Sequence, residues 1–246
     1  MSNGFLVIGD IHNEYTMFKD AVDFASANDL RFVSVGDLVD YGPDPFDTIS
    51  LAYDLAKTTD AIFIEGNHDN KISRYILGND ITISHGLQVT VDLLNTSVTA
   101  KDLFKFVHDQ MLSYFRIGNT VITHGGVHPD FWNGITDSKA VKSTFLYGQV
   151  DRSRGTVLRN GMEYPHRVYD WTKSIPNNTI VIVGHDRSPF EEIPQFDSNI
   201  NEIVVRKNDL GGEVIFTDTG SGKGGFISGV VLDTDGHVSD MVTFQK

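Results

Sequence analysis

The chain has 246 residues, with 20 Lys and Arg against 33 Asp and Glu, a net charge of −13, and no cysteine. An apolar share of 40% and an aromatic share of 11% suffice for a packed core and exclude a disordered chain. The missing thiols exclude disulfides and thiolate metal sites, and the acidic balance excludes a sequence-independent grip on long duplex, which needs clustered Lys and Arg.

From the N-terminus, Met1-Ser2-Asn3-Gly4 passes straight into the apolar run Phe5 to Ile8 and then Asp10. That run is too short for a signal peptide and lacks its basic lead. No run reaches the roughly eighteen apolar residues of a membrane span, so a cytoplasmic chain without a membrane partner is expected. Phe5 to Ile8 reads instead as a first strand. Phe18, Ala21, Val22 and Ala25 then fall on one helical face, and Phe32 to Val35 reads as a second strand. Phe46, Ile49, Ala52 and Ala56 make a second helical face before a third strand, Ala61 to Ile64. Strand-helix-strand order implies parallel pairing through crossover helices. A further helix is expected around Leu103, Val107 and Met111. Strands follow at Thr120 to Thr123, Thr179 to Val183 and Val214 to Thr217, with a closing hairpin of Phe226 to Leu232 and Met241 to Phe244 around Asp235-Gly236. Between about 130 and 175, Pro129, Pro165 and Pro176 break any periodicity. A small cap or insert is expected there, within a single domain over residues 1–246.

The strand ends share a chemistry. They read Gly9-Asp10-Ile11-His12, Gly36-Asp37-Leu38-Val39-Asp40, Gly66-Asn67-His68-Asp69, His124-Gly125-Gly126, Gly184-His185-Asp186 and Asp218-Thr219-Gly220. One Gly-Asp after a strand is ordinarily a turn. The repetition is what points to a site, because ligands gather outside the carboxyl ends of parallel strands. Carboxylate, imidazole and amide oxygen without thiolate suit Mn, Zn, Fe or Mg. The set exceeds what one tetrahedral ion needs, so a pair of ions sharing a carboxylate is the economical account.

The blocks at Asp10, Asp37, Asn67, His124 and His185 resemble the five-block signature of calcineurin-like metallophosphoesterases, in the branch shared with serine/threonine phosphoprotein phosphatases. The stretch Gly66 to Lys71, with Arg74, Gly78, Ser84-His85-Gly86-Leu87, Tyr147-Gly148 and Asp218-Thr219-Gly220, is similar to the phosphatase module of bacterial polynucleotide kinase-phosphatases. The resemblance implies an α/β sandwich of two mixed β-sheets flanked by helices, with a dinuclear site at the strand ends. It implies Asp10 and His12 on a first ion, Asp37 bridging, and Asn67, His124 and His185 on a second. Manganese leads the choice of metal, with Zn, Fe, Ni or Mg as the others. His68 resembles the family's histidine that protonates the leaving oxygen or holds phosphate, oriented by Asp40; a carboxylate behind an imidazole fixes its tautomer. His85-Gly86 competes with His124-Gly125 for one ligand position, and spacing favours His124, leaving His85 a loop residue. His108 is expected at the surface or its boundary, and His128 in a turn with Pro129.

Two positions depart from the family pattern. Asn13 stands where glycine is usual, and Tyr41 where an arginine is. An arginine offers a planar fork to a dianionic terminal phosphate, and a tyrosine one hydroxyl. A phosphoester hydrolase that accepts diesters, such as 2′,3′-cyclic nucleotide ends, is therefore the leading expectation, with Tyr41, Arg74, Arg187 and Asp218 as substrate contacts. Arg187 is favoured over Arg74, Arg152 and Arg154 to replace the fork. The expected partners are phosphorylated nucleotides, nucleic-acid ends or small phosphoesters. Alternatives are a phosphoprotein phosphatase, a dinucleoside-tetraphosphate hydrolase and, in another class, a silent metal-binding docking protein. Gly220-Ser221-Gly222-Lys223-Gly224 lacks the spacing of a nucleotide-binding P-loop and reads as a mobile glycine-rich turn.

Overall fold

A computed structural model describes residues 2–159, 162–187 and 201–245. The first half is β1 (Gly4–Ile8), α1 (Tyr15–Ala27), β2 (Leu30–Ser34), α2 (Pro45–Thr58), β3 (Ile62–Phe63), α3 (Asn67–Ile76), α4 (His85–Thr96) and α5 (Val98–His108). The second half is β4 (Tyr114–Ile117), β5 (Thr120–Thr123), α6 (Lys139–Tyr147), β6 (Gln149–Arg159), β7 (Met162–Val168), β8 (Ile180–Val183), β9 (Val204–Lys207), β10 (Glu213–Phe216), β11 (Ile227–Leu232) and β12 (Val238–Phe244).

Two five-stranded sheets run in the orders β12-β11-β1-β2-β3 and β4-β5-β8-β10-β9. In the first, β1, β2 and β3 pair in parallel while β11 and β12 are antiparallel. In the second, β5, β8 and β10 are parallel, flanked by antiparallel β4 and β9. Both sheets are therefore mixed, and each has a parallel centre whose carboxyl ends share one edge.

Side-chain alternation explains how the sheets stack. Successive residues of a strand face opposite sides. On β1, Val7 enters a core with Val33, Ile62, Ile122, Ile182 and Ile215, drawn from both sheets. Its neighbours Leu6 and Ile8 join Met17 and Phe18 of α1, Ile49 of α2 and Phe104 of α5 on the other side. On the second sheet, Val181, Val183, Val214 and Phe216 pack outward on Val141 and Phe145 of α6 and on Trp171. The layers are helix, sheet, sheet, helix. Such strands carry apolar residues on both faces, so they read as continuous apolar runs.

The expected strands all recur within a few residues, the terminal hairpin included. Two helix details differ. Phe46 sits in the first turn of α2 and is 42% exposed, because the buried stripe is Thr48, Ile49, Ala52 and Leu55. The helix expected through Met111 ends at His108. The region of the expected insert holds a 3-10 turn (Pro129–Asn133), α6, the two-stranded β6–β7 sheet and a second 3-10 turn (Asp170–Ser174). Pro165 is accommodated because the hairpin has only edge strands. Arg167 at the end of β7 pairs with Asp186, and the Tyr169 hydroxyl donates to the same carboxylate at 3.1 Å, tying the hairpin to the loop after β8. No helix among the described residues is long and apolar enough to cross a membrane.

Candidate active site

The six junctions converge because each follows a parallel strand. Asp37, after β2, is the common member. Its Oδ1 lies 3.4 Å from His124 Nε2, and its Oδ2 lies 3.8 Å from His12 Nε2. Asp10 Oδ2 approaches the same His12 nitrogen at 3.7 Å. On the other flank, His124 Nε2 lies 3.0 Å from Asn67 Oδ1 and 3.1 Å from His185 Nδ1. Two triads of ligand atoms, His12-Asp37-His68 and Asp37-His124-His185, each fall within 4.8 Å, and they share Asp37. All six expected ligands, Asp10, His12, Asp37, Asn67, His124 and His185, are thus gathered at one edge.

Backbone carbonyls set the tautomers. Nδ1 of His12 lies 2.9 Å from Val39 O, and Nδ1 of His124 lies 3.0 Å from Val35 O. A nitrogen facing a carbonyl must carry the hydrogen, so Nε2 is the atom left to bind in both rings. His185 Nε2 is buried without a hydrogen-bond partner among the described residues, and its Nδ1 points into the cluster.

Electrostatics follow from crowding. Burial, then Asp218 and Asp37, push the Asp10 carboxyl well above its usual range. Burial acts the same way on Asp37, but His124 and the neighbouring imidazoles outweigh it and hold that carboxyl well below its usual range. Burial opposes charge on His124, yet Asp37 and then Asp10 and Asp69 drive it up to about 9. His12 and His185 are held well below the usual imidazole value, by burial first and then by Lys223 and Arg167 respectively. The ionised shared carboxylate and the neutral imidazoles of His12 and His185 are ready to bind, while His124, paired with Asp37, holds a proton that an ion bound at Nε2 would displace; the donor set fits two divalent ions.

The junctions are locked to each other. Asp69 accepts from Leu38 N and from Gly66 N, each at 3.0 Å, joining the loops after β2 and β3. Gly66 must be glycine: a Cβ there would lie 2.1 Å from Asp37 N and 2.2 Å from its Oδ1. Thr90 Oγ1, on α4, accepts from Asp40 N at 3.1 Å and from Asn13 Nδ2 at 3.2 Å. Several of these residues have left-handed backbones: His12, Asn13, Asp37, Asp40, Tyr41 and His185 have φ between 49° and 81°. That accounts for Asn13 at a position where glycine is usual, since asparagine tolerates the left-handed region better than most residues.

His68 stands beside the cluster. Its backbone N donates to Asp37 Oδ1 at 2.8 Å, and its Nδ1 is 2.5 Å from Oδ2 of the fully buried Asp40. Tyr41 closes one side, its ring centroid 4.9 Å from that of His12 and 5.3 Å from that of His68. Partial burial and then Asp37 push its hydroxyl up to about 12, so it is a neutral donor. Tyr41 N donates to Gly86 O at 2.9 Å, which gives the second His-Gly pair its place: His85 opens helix α4 rather than lying in a loop. His128 caps the 3-10 turn at Pro129, and His108 Nε2 lies 2.9 Å from Glu65 Oε1.

The expected substrate contacts divide. Asp218 is buried beside Asp10, its Oδ1 accepting from Gly220 N at 3.0 Å; it faces a candidate ligand and not solvent. Arg187 packs along Gly220 and adds positive charge near Tyr41. Arg74 is exposed on α3, near Lys71 and Tyr147. The glycine-rich turn is not a loose appendage: Ser221 Oγ donates to Ile11 O at 2.6 Å, and Lys223 Nζ reaches to 3.1 Å from His12 Nε2. Sequence reasoning assigned Lys223, Asp69 and Thr90 no role. The only signal for Lys223 was its place directly after the last junction.

Residues 4–219 match the calcineurin-like phosphoesterase family. Among curated relatives, the bis(5′-nucleosyl)-tetraphosphatase PrpE [asymmetrical] of Geobacillus sp. (strain WCH70) is 30% identical over 199 residues, 73% of this chain and 77% of that protein. Its namesake from Anoxybacillus flavithermus is 24% identical over 215 residues, 79% and 82% of the two chains. A metallophosphoesterase structure from Sphaerobacter thermophilus superposes with a TM-score of 0.56 at 15% identity, covering 100% of this chain and 89% of that one. Fold, shared-carboxylate cluster and family match agree, and the chain belongs to the calcineurin-like phosphoesterases, hydrolases of phosphate esters.

Proposed function

We propose that this chain is a two-metal hydrolase of nucleotides whose scissile phosphoryl group carries a single negative charge, with dinucleoside polyphosphates as the first substrate class. The observation that carries the reading is Tyr41, packed on His12 and His68 where the family pattern has an arginine. Interior phosphates of a dinucleoside polyphosphate, like phosphodiesters, lack the dianionic end that most needs a guanidinium fork. The names of the curated relatives support the same class. Nucleic-acid ends, including 2′,3′-cyclic phosphates, come second: they offer the same charge, but a net −13 disfavours an extended polyanion.

In this reading Asp10, His12 and Asp37 would hold one ion and Asp37, Asn67, His124 and His185 the other. Two divalent ions, manganese being the expected pair, would supply Lewis acidity to the phosphoryl group and an activated water. The chain's own residues do the rest. Asp69 and Thr90 hold the junction loops in register, Asp40 orients His68, and His68 delivers a proton to the departing oxygen or grips it. The hairpin within 130–175 serves as a cap on a single catalytic domain in a cytoplasmic setting.

The test is a matched series on the wild type and Asp37→Ala, both incubated with Mn²⁺. It contains a dinucleoside tetraphosphate, a 2′,3′-cyclic nucleotide, 2′-, 3′- and 5′-monophosphates and a phosphopeptide. Turnover led by the tetraphosphate, and lost in Asp37→Ala, is the expected result. Preference for the phosphopeptide would overturn the substrate reading. Silence throughout, with ions bound, would favour the docking-protein alternative.

A further inference from the structure

The loop after β10 is anchored against the cluster at several points. Ser221 is fully buried, its Oγ donating to Ile11 O at 2.6 Å. Lys223 N and Gly225 N both donate to Gly220 O at 2.9 Å, closing a tight turn. Gly222 has φ +70°, and a Cβ there would lie 2.7 Å from His12 Cβ and 2.8 Å from Tyr41 Cβ, so the backbone reaches its seat only as glycine. From this fixed backbone the Lys223 side chain, on an otherwise exposed residue, turns inward. Its Nζ sits 4.4 Å from the Tyr41 ring centroid and 3.1 Å from His12 Nε2. A cation over a tyrosine face is held by the ring quadrupole.

We propose that Lys223 is the substrate-gripping cation of this site, supplying from the β10–β11 loop the charge that Tyr41 cannot, with the Tyr41 ring as its guide. This inference rests on the hydrolase reading above and adds to it a specificity-determining residue. An ammonium is a point charge with three rotatable donors, whereas a guanidinium is a rigid fork. One ammonium matches a phosphoryl group with one negative charge. His12 Nε2 is its acceptor in the structure; with that lone pair given to an ion, the ammonium donors would be free for substrate while the Tyr41 ring holds the ammonium in the site. Tyr41 and Lys223 thus act as a pair, and Arg187, packed on Gly220 of the same loop, strengthens the local positive field.

The experiment compares wild type with Lys223→Met, Lys223→Arg and the double variant Tyr41→Arg/Lys223→Met. Titration calorimetry reads Mn²⁺ binding and then inorganic phosphate binding to the Mn²⁺-loaded protein, and steady-state kinetics read kcat and KM for a dinucleoside tetraphosphate. Losing a charge-assisted contact should weaken phosphate binding and raise KM about tenfold or more in Lys223→Met. Mn²⁺ affinity should be no weaker than in wild type, because a competitor for His12 has gone. Lys223→Arg should recover most of the loss, and the double variant should regain phosphate affinity through the restored fork. Phosphate affinity and KM unchanged in Lys223→Met would overturn the proposal, as would a loss matched by an equal loss of Mn²⁺. A wild type that turns over nothing would sink the hydrolase reading, while phosphate binding would still decide the lysine.

Discussion

Replacing Asp40 with asparagine isolates the role of the His68 pair. Asparagine keeps the volume of the buried side chain and leaves the backbone bond from Asp40 N to Thr90 intact. What it removes is the charge behind the 2.5 Å contact with His68 Nδ1, a short charge-assisted bond in a water-excluded place. Such bonds contribute about 1.5–3 kcal/mol, or roughly a ten- to hundredfold loss in kcat if all of it is expressed in the transition state. The decisive assay uses two esters that differ only in the leaving group, one a nitrophenolate and one a nucleoside alkoxide. Nitrophenolate departs without a proton, so a pair that delivers one should show the full loss on the alkoxide and little on the nitrophenyl ester. Equal losses on both would refute proton delivery and leave His68 as a phosphate-holding group.

Gly66→Ala should push the shared carboxylate aside, because its Cβ would lie 2.2 Å from Asp37 Oδ1. Mn²⁺ affinity measured by calorimetry should fall about 10–100-fold while far-UV circular dichroism stays near wild type. Chelation of divalent ions should lower the melting temperature by about 5–10 °C, since ligand at a hundred times its Kd stabilises by about 2.7 kcal/mol and each kcal/mol moves a chain of this size by about 2–4 °C. Scanning calorimetry with and without EDTA checks it. Glu65→Gln should flatten the acid limb of stability. Burial raises the Glu65 carboxyl, but bonds from His108 and Asn70 outweigh that and hold it below its usual value of 4.5. A depressed carboxyl contributes stability above that pH and loses it as the pH falls through its folded value. Thermal melts in an acid series should therefore converge for wild type and variant at the lowest pH and separate above it.

The convergence of the junctions was legible in the sequence because its elements are simple. Phe5 to Ile8, Thr120 to Thr123 and Thr179 to Val183 are short apolar runs of strands that supply both cores, and each hands over directly to a glycine and a candidate ligand. Parallel pairing then does the gathering. What stayed hidden has no such period. Tyr114-Phe115-Arg116-Ile117 mixes burial with an exposed arginine, and the β6–β7 hairpin, away from the two-sheet core, has no need of apolar alternation. Asp69 and Thr90 act through bonds to the backbones of other junctions, at separations of 31 and 50 residues, which composition does not encode. Lys223 was missed for a related reason: its approach to His12 depends on the left-handed turn at Gly222, a three-dimensional fact carried by one small residue.

The left-handed backbones at His12, Asn13, Asp37, Asp40, Tyr41 and His185 bear on how this chain tolerates change. Residues in sparsely populated regions cost on the order of 1–3 kcal/mol each unless they are glycine or asparagine-like. Adaptation to heat would therefore favour glycine at Tyr41, and the ring that carries Lys223 would go with it. β-Branched residues are shut out of these positions whatever their polarity. The alphabet open to the site is set twice over, by ligand chemistry and by torsion, and only a few residue types pass both filters. Drift is channelled into the helices and the hairpin, and a screen for thermostable variants that ignored torsion would tend to select its winners from the inactive ones.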